Sequence, residues 1–253
     1  MKSQVRAARE ETKQRWEESF TEQVAWQAYN TAPVEAVIRT VAYALRDRLA
    51  SGQRGDLHFL EMGCGAGPNL VWLAHKGIIV SGVDISPTAL RLAREHLEEG
   101  GYRDRIGKLL EASVTDVPFE NESFDGIIEA CVFQHLAKED RQRAFGEVRR
   151  LLKPEGLFVG YLLAQEHSIF QTKHADQLSD DPGTLELRDG GSKFHLSNIG
   201  LSHFFNRQEF FELLDGFSVI DPCAATYELP RREAQKRGYA EYLQSMWIVF
   251  AVK

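Results

Sequence analysis

Apolar and polar positions along the chain change period several times, and each change marks an element. Residues 3–50 keep helical spacing. A charged, alanine-rich stretch runs to about Phe20, and from Pro33 to Ala50 the residues Val34, Val37, Ile38, Val41, Leu45 and Leu49 recur on one face, as in an amphipathic helix. Ser51-Gly52 ends this region. From Leu57 short apolar runs alternate with helical ones: strand 57–62, helix 68–76, strand 78–83, helix 87–99, strand 106–111, strand 124–131, helix 138–152 and strand 156–163. Gly100-Gly101 breaks the second of these helices, and Pro154-Glu155-Gly156 turns into the last strand. Strands separated by helices predict a mostly parallel sheet covered on both faces.

The pattern fades over 164–206, where polar and glycine residues dominate (Ser179-Asp180-Asp181-Pro182-Gly183, Asp189-Gly190-Gly191). So long a connection in a compact domain is usually functional or mobile. It follows the fifth strand, so it should overhang the carboxyl ends of the strands, where open α/β sheets bind ligands. A helix returns at 207–214, and 217–220 and 246–252 read as strands. The expected organisation is one domain over 1–253: a helical cap at 1–52, a core at 57–163, a substrate-side insertion at 164–206, and a closing helix with an antiparallel strand pair at 207–253.

The first strand runs into Glu61-Met62-Gly63-Cys64-Gly65-Ala66-Gly67, and the second ends at Asp84. A strand that enters a helix through a tight turn needs residues that tolerate positive φ and let a ligand approach the backbone. The helix start behind such a turn offers unpaired N–H groups. An acid at the tip of the next strand can accept hydrogen bonds from ribose hydroxyls. The spacing is not that of a dinucleotide site, which needs a third glycine where Pro68 stands. No Gly-Lys-Ser/Thr follows, which excludes a P-loop. Glu61 would repel phosphate, so the expected ligand carries a ribose and a positive group.

This stretch resembles the first motif of the class I S-adenosylmethionine-dependent methyltransferases, acid-x-G-x-G-x-G, which Leu60 to Gly67 match throughout. The resemblance implies a Rossmann-like, mostly parallel seven-stranded sheet with an antiparallel last strand. It implies S-adenosyl-L-methionine as cofactor. Glu61, Gly63, Cys64, Gly65 and Gly67 would line it, and Asp84 with Ile85 would hold the ribose. Asp116 to Asp125 is similar to the family's link between its third and fourth motifs, and by that alignment Ser113, Val114 and Thr115 would surround adenine. Ser113 stands where the family often has an acid, with Asp116 as an alternative. The fourth strand ends at Cys131, facing the transferable methyl in the family, and His135 would be the base if the acceptor loses a proton. Leu151 to Gly156 resembles the family's structural turn before strand 5. Trp16, Trp26 and Tyr29 in the cap, and His195 and His203 in the insertion, are candidates for the lid and the substrate side. The start of the chain and the run Asn69-Leu70 to Ala74 are similar to members acting on thiopurines and tellurite, which often carry arginine where this chain has Pro68.

The expected activity is methyl transfer to an O, N or soft atom of a small molecule. The alternatives are methylation of RNA or a protein side chain, and a catalytically inactive cofactor-binding partner protein. Net charge is −7, which disfavours a nucleic-acid surface. His167, His174, His195 and His203 lack metal-ligand spacing, and Cys64, Cys131 and Cys223 form no C-x-x-C pair, so no metal is expected. The charged N-terminus and the lack of a long apolar run predict a cytoplasmic protein off the membrane. Oligomeric state is not legible.

Overall fold

The computed structural model describes residues 2–46, 57–173, 177–187 and 200–253. The cap is α1 (Lys2–Ala25) and α2 (Glu35–Ala44). The core runs β1 (His58–Met62), α3 (Pro68–His75), β2 (Ile79–Asp84), α4 (Pro87–Glu99), β3 (Ile106–Glu111), β4 (Phe124–Ala130), α5 (Lys138–Leu151) and β5 (Leu152–Leu163). The remainder is α6 (Ser168–Thr172), β6 (Thr184–Leu187), β7 (Gly200–His203), α7 (Arg207–Leu213), β8 (Val219–Glu228), α8 (Arg231–Lys236) and β9 (Leu243–Val252). Seven strands form one sheet in the order β3-β2-β1-β4-β5-β9-β8. The first five are parallel, and β9 lies antiparallel between β5 and β8. The order reverses between β1 and β4, and it is at such a switch point that open sheets open a ligand crevice.

Parallel strands covered on both faces become continuous apolar runs. After its first residue, β2 is buried throughout. Leu60, Ile127, Phe145 and Phe158 fill one face under α5. Phe59, Leu70, Val80, Leu97 and Ile128 fill the other, under α3 and α4. Burial of each such side chain contributes about 1.5–3 kcal/mol. No helix among the described residues is long and apolar enough to cross a membrane.

The structure departs from the sequence pattern toward the C-terminal half. Strand β5 starts at Leu152, directly at the end of α5. Strands β8 and β9 are longer than expected and pair from Val219↔Val252 to Glu228↔Leu243. β8 is the sheet edge and mostly exposed, so it needs no apolar alternation and shows none. α8 was missed because its charged residues carry little apolar signal. The insertion is not structureless: β6 and β7 pair antiparallel from Thr184↔His203 to Leu187↔Gly200. Leu185, Leu187 and Phe204 of this region make a third core with Leu163 and Met246. Leu49, Ser51-Gly52, His174 and His195 lie outside the described residues.

Candidate active site

Three glycines after β1 adopt positive φ: Gly63 at 79°, Gly65 at 51° and Gly67 at 78°. A Cβ on Gly63 would sit 2.4 Å from a methyl of Val132. This glycine lets the turn after β4 pass close beneath. A Cβ on Gly67 would sit 2.9 Å from Ala93, so Gly67 serves the packing of α3 on α4. Asp84 closes the other side. One carboxyl oxygen accepts the Gly65 N–H at 2.8 Å and the other the Ser86 N–H at 2.9 Å. Burial raises its pKa, and the backbone hydrogen bonds work against that rise. Ile85 is half-buried beside it. Cys64 is buried, and Gly82 leaves room for its sulfur; burial pushes its thiol far up. Its backbone faces the turn and its side chain is core.

Glu61 is 2% exposed. Asn69 donates to one oxygen at 2.7 Å, and the other oxygen has no partner. Burial pushes its pKa up to about 8. A bare buried carboxyl oxygen is costly unless a cation or donor meets it, and an amino-acid ammonium supplies both. The residues present therefore fit a cofactor that carries a ribose and a methionine end. On the neighbouring side, the hydroxyls of Ser113 and Thr115 are 2.8 Å apart and Val114 is buried. Asp116 is exposed.

Helix α1 lies across the strand ends. Glu17 accepts from the Ser86 hydroxyl and from the N–H and hydroxyl of Thr88. Lys13 pairs with Glu111, Phe20 stands 3.4 Å from where a Gly65 Cβ would be, and the ring of Trp16 is 5.5 Å from that of His135. Trp26 and Tyr29 have other surroundings. Trp26 is 53% exposed, and Tyr29 stacks on His96 of α4 at 5.7 Å. Glu17 and Phe20 are the α1 residues that meet the start of α4 and the glycine turn. The spacing of α1 gave no such signal, because these contacts are made to distant strand ends.

His135 sits in a helical turn over Phe133–His135. Its Nδ1 is 3.1 Å from the Leu201 carbonyl and its Nε2 is 3.2 Å from the Gln134 amide nitrogen. Burial pushes its pKa down to about 4, so the imidazole is neutral. Nδ1–H then donates to the carbonyl and Nε2 accepts from Gln134. Both nitrogens are engaged, which suits a wall residue better than a base. His203 is 1% exposed, bonded to Thr184 through Nδ1 at 2.8 Å and to Glu209 through Nε2 at 2.9 Å. It ties β7 to β6 and α7 and does not line the glycine turn. Cys131 has φ of 63°, its N–H donates to the Tyr161 carbonyl at 2.9 Å, and burial pushes its thiol up. Sequence reasoning singled out neither Glu129 nor the Asn69 bond. A buried acid at a strand end is visible in the pattern of β4, but its burial is not.

Residues 60–160 match the family model described as a methyltransferase domain. Over 206 residues the chain is 28% identical to the sarcosine/dimethylglycine N-methyltransferase of Halorhodospira halochloris, covering 76% of this chain and 67% of that protein. Over 132 residues it is 34% identical to a mouse U6 snRNA (guanine-N(2))-methyltransferase, covering 51% of this chain and 24% of that protein. The chain spans 46%, 31% and 34% of the length of three other curated relatives. A solved S-adenosylmethionine-dependent methyltransferase from Methanosarcina mazei shares the fold, with a TM-score of 0.60 at 24% identity, over 78% of this chain and 92% of that one.

Proposed function

This chain belongs to the class I S-adenosylmethionine-dependent methyltransferases, and on that premise we propose that it transfers a methyl group from S-adenosylmethionine to an O, N or soft atom of a small molecule. The observation that carries the reading is the bare, buried oxygen of Glu61 beside a glycine turn that Asp84 already holds open. Asp84 would take the ribose hydroxyls. Glu61 would take the ammonium, the backbone of Gly63, Cys64 and Gly65 the methionine end, and Ser113 to Thr115 the adenine. When bound, the cofactor supplies a methyl group activated by a sulfonium. The protein's share is alignment and the exclusion of water, for which Trp16, Phe20 and Glu17 form the roof. His135 holds the wall without accepting a proton.

The small-molecule reading is supported by the contacts of α1 with the glycine turn and the start of α4, through Phe20 and Glu17, and by the net charge of −7, which opposes binding of a phosphate backbone. The names of relatives acting on sarcosine and on an snRNA point in both directions. Calorimetry with S-adenosylmethionine, followed by a screen with methyl-labelled donor over small amines, thiols and phenols and over total RNA, separates them. Binding of the donor and label in a small molecule is the expected result. Binding of NAD without the donor, or label in RNA alone, overturns the reading.

A further inference from the structure

Glu129, next to last in β4, is fully buried, at 0% exposure, where neither the glycine turn nor the sheet requires a charge. One of its oxygens accepts the N–H of Val132 at 2.6 Å and of Phe133 at 2.9 Å. The other has no partner. Between the carboxyl and these donors the chain passes through Cys131 at φ of 63°, a conformation that costs a residue with a Cβ on the order of 1 kcal/mol or more. The Glu129 bonds and the bond of the Cys131 N–H to Tyr161 hold that turn in place. The turn carries Val132, whose methyl lies 2.4 Å from where a Gly63 Cβ would be. It also carries His135, whose N–H donates to the Val132 carbonyl at 2.9 Å. One buried carboxyl thus sets the height of the turn beneath the glycines.

Two N–H donors are held best by a carboxylate, yet burial pushes the Glu129 pKa up to about 7, against the N–H groups of Val132 and Phe133. The titratable groups around it are Glu61 on β1, which feels both Glu129 and Asp84 of β2, Cys131 on its own turn, and Tyr161 on β5, which feels Cys131. All of them are acids, and none brings a positive charge. We propose that Glu129 is a positioning residue: its carboxylate fixes the turn after β4 against the glycine turn, and the ammonium of the arriving donor holds that carboxylate, with Glu61, in its charged form. The inference rests on the donor assigned above. The carboxyl protons of Glu129 and Glu61 leave to solvent as the cation docks, so donor capture is coupled to proton release.

The test is titration calorimetry at pH 6.5 in two buffers of different ionisation enthalpy. S-adenosylhomocysteine keeps the ammonium; methylthioadenosine lacks the amino-acid end. Native protein should expel about one to two protons on binding S-adenosylhomocysteine, fewer at pH 9, and none on binding methylthioadenosine. E129Q keeps an oxygen for both N–H donors, so it should bind S-adenosylhomocysteine with less than roughly tenfold loss and expel roughly 0.5–1 proton fewer. Equal proton release by E129Q and native protein overturns the proposal, as does equal release with both ligands. Carboxyl carbon NMR of the native protein covers the case of a variant that fails to fold. A glutamate titrating near neutrality should fall below pH 6 on ligand addition, and an unmoved titration overturns the proposal. Failure of native protein to bind S-adenosylmethionine or S-adenosylhomocysteine at all defeats the donor assignment itself, and it is seen before any proton is counted.

Discussion

Two buried polar clusters, one in the insertion and one at the ends of β1 and β4, are built on opposite principles. In the insertion, Arg141 donates to both oxygens of Asp181, Asp181 accepts from Thr184, Thr184 bonds His203, and His203 bonds Glu209. Arg141 and Asp181 are 4% and 8% exposed, and the chain of bonds joins α5, β6, β7 and α7. In the cleft, Glu61 and Glu129 are equally buried but each leaves an oxygen bare. A satisfied buried network is a structural strut. An unsatisfied pair of acids is tolerated where something from outside completes it. The contrast separates the part of the molecule that holds the insertion from the part proposed to receive the donor. It also explains why an open groove of about 860 Å³ between α5 and α7, lined by Arg141, Asp181 and Glu209 among others, is not the candidate site: its buried charges are already paired.

The contrast breaks first at Asp181. Asp181→Ala leaves the Arg141 cation buried and unpaired, and should lower unfolding stability by about 3–5 kcal/mol, with donor affinity in the folded fraction unchanged. Chemical denaturation and calorimetry read the two quantities; a loss below about 1 kcal/mol would show that the network is no strut. Asp84→Ala should do the reverse. It removes a carboxylate that accepts two backbone N–H groups in the cleft, and should cost roughly 1.5–3 kcal/mol of donor binding. Unchanged affinity for S-adenosylmethionine removes Asp84 from the site.

The two clusters should also have opposite pH limbs. Glu61 and Glu129 have folded pKa values above the ordinary carboxyl range, so the folded chain holds more protons than the unfolded one between those values. Stability of the ligand-free protein therefore falls as pH rises from about 5 toward 8, by up to about 1.4 kcal/mol per pH unit for each group. For Asp181, burial works against the carboxylate, but Thr184 and Arg141 outweigh it and hold its pKa low. Its contribution is complete above the unfolded carboxyl value and is lost as pH falls through the folded one. Thermal unfolding across pH should show an acid limb that Asp181→Asn removes and an upper limb that S-adenosylhomocysteine flattens. A flat upper limb without ligand contradicts the buried-acid picture of the cleft.

The same contrast marks what could be read from the chain. The cleft's backbone frame was legible because Glu61, the glycines and Asp84 carry their geometry in local spacing: strand, turn, helix, strand. That β1 to β5 form a parallel sheet covered by helices followed from their apolar runs alternating with helical ones. The insertion strut was not legible. Arg141 and Asp181 are far apart in sequence, β6 and β7 are four residues each, and their Thr, Ser and His side chains point to no strand. The roof was half legible: aromatic residues in the cap were visible, but choosing Trp16 and Phe20 over Trp26 and Tyr29 depends on where α1 crosses the sheet. Glu129 was hidden for a third reason. An acid at a strand end reads as solvated until the turn that buries it is known.

The smallest expected effect concerns the roof, and it tests whether the cleft half is held shut by one contact. Burial works against the Glu17 carboxylate, but the Ser86 and Thr88 hydrogen bonds outweigh it and its pKa is lowered. Glu17 also sits at the start of α4, where unpaired N–H groups favour a negative charge. These contacts join α1 to the N-terminus of α4 without entering the core, so Glu17→Ala should leave the melting temperature nearly unchanged. Loss of hydrogen bonds to a charged acceptor at a partly exposed site should shift opening of α1 by about 1 kcal/mol, or roughly fivefold in the open population. Hydrogen exchange of the α1 amides should quicken by that factor, and donor dissociation should quicken with it. Faster exchange without faster dissociation would mean that Trp16 and Phe20 carry the closure and Glu17 only docks the helix. Unchanged exchange would mean that Lys13 and Glu111 suffice to hold α1 down, and the double variant with Lys13→Ala should then release it.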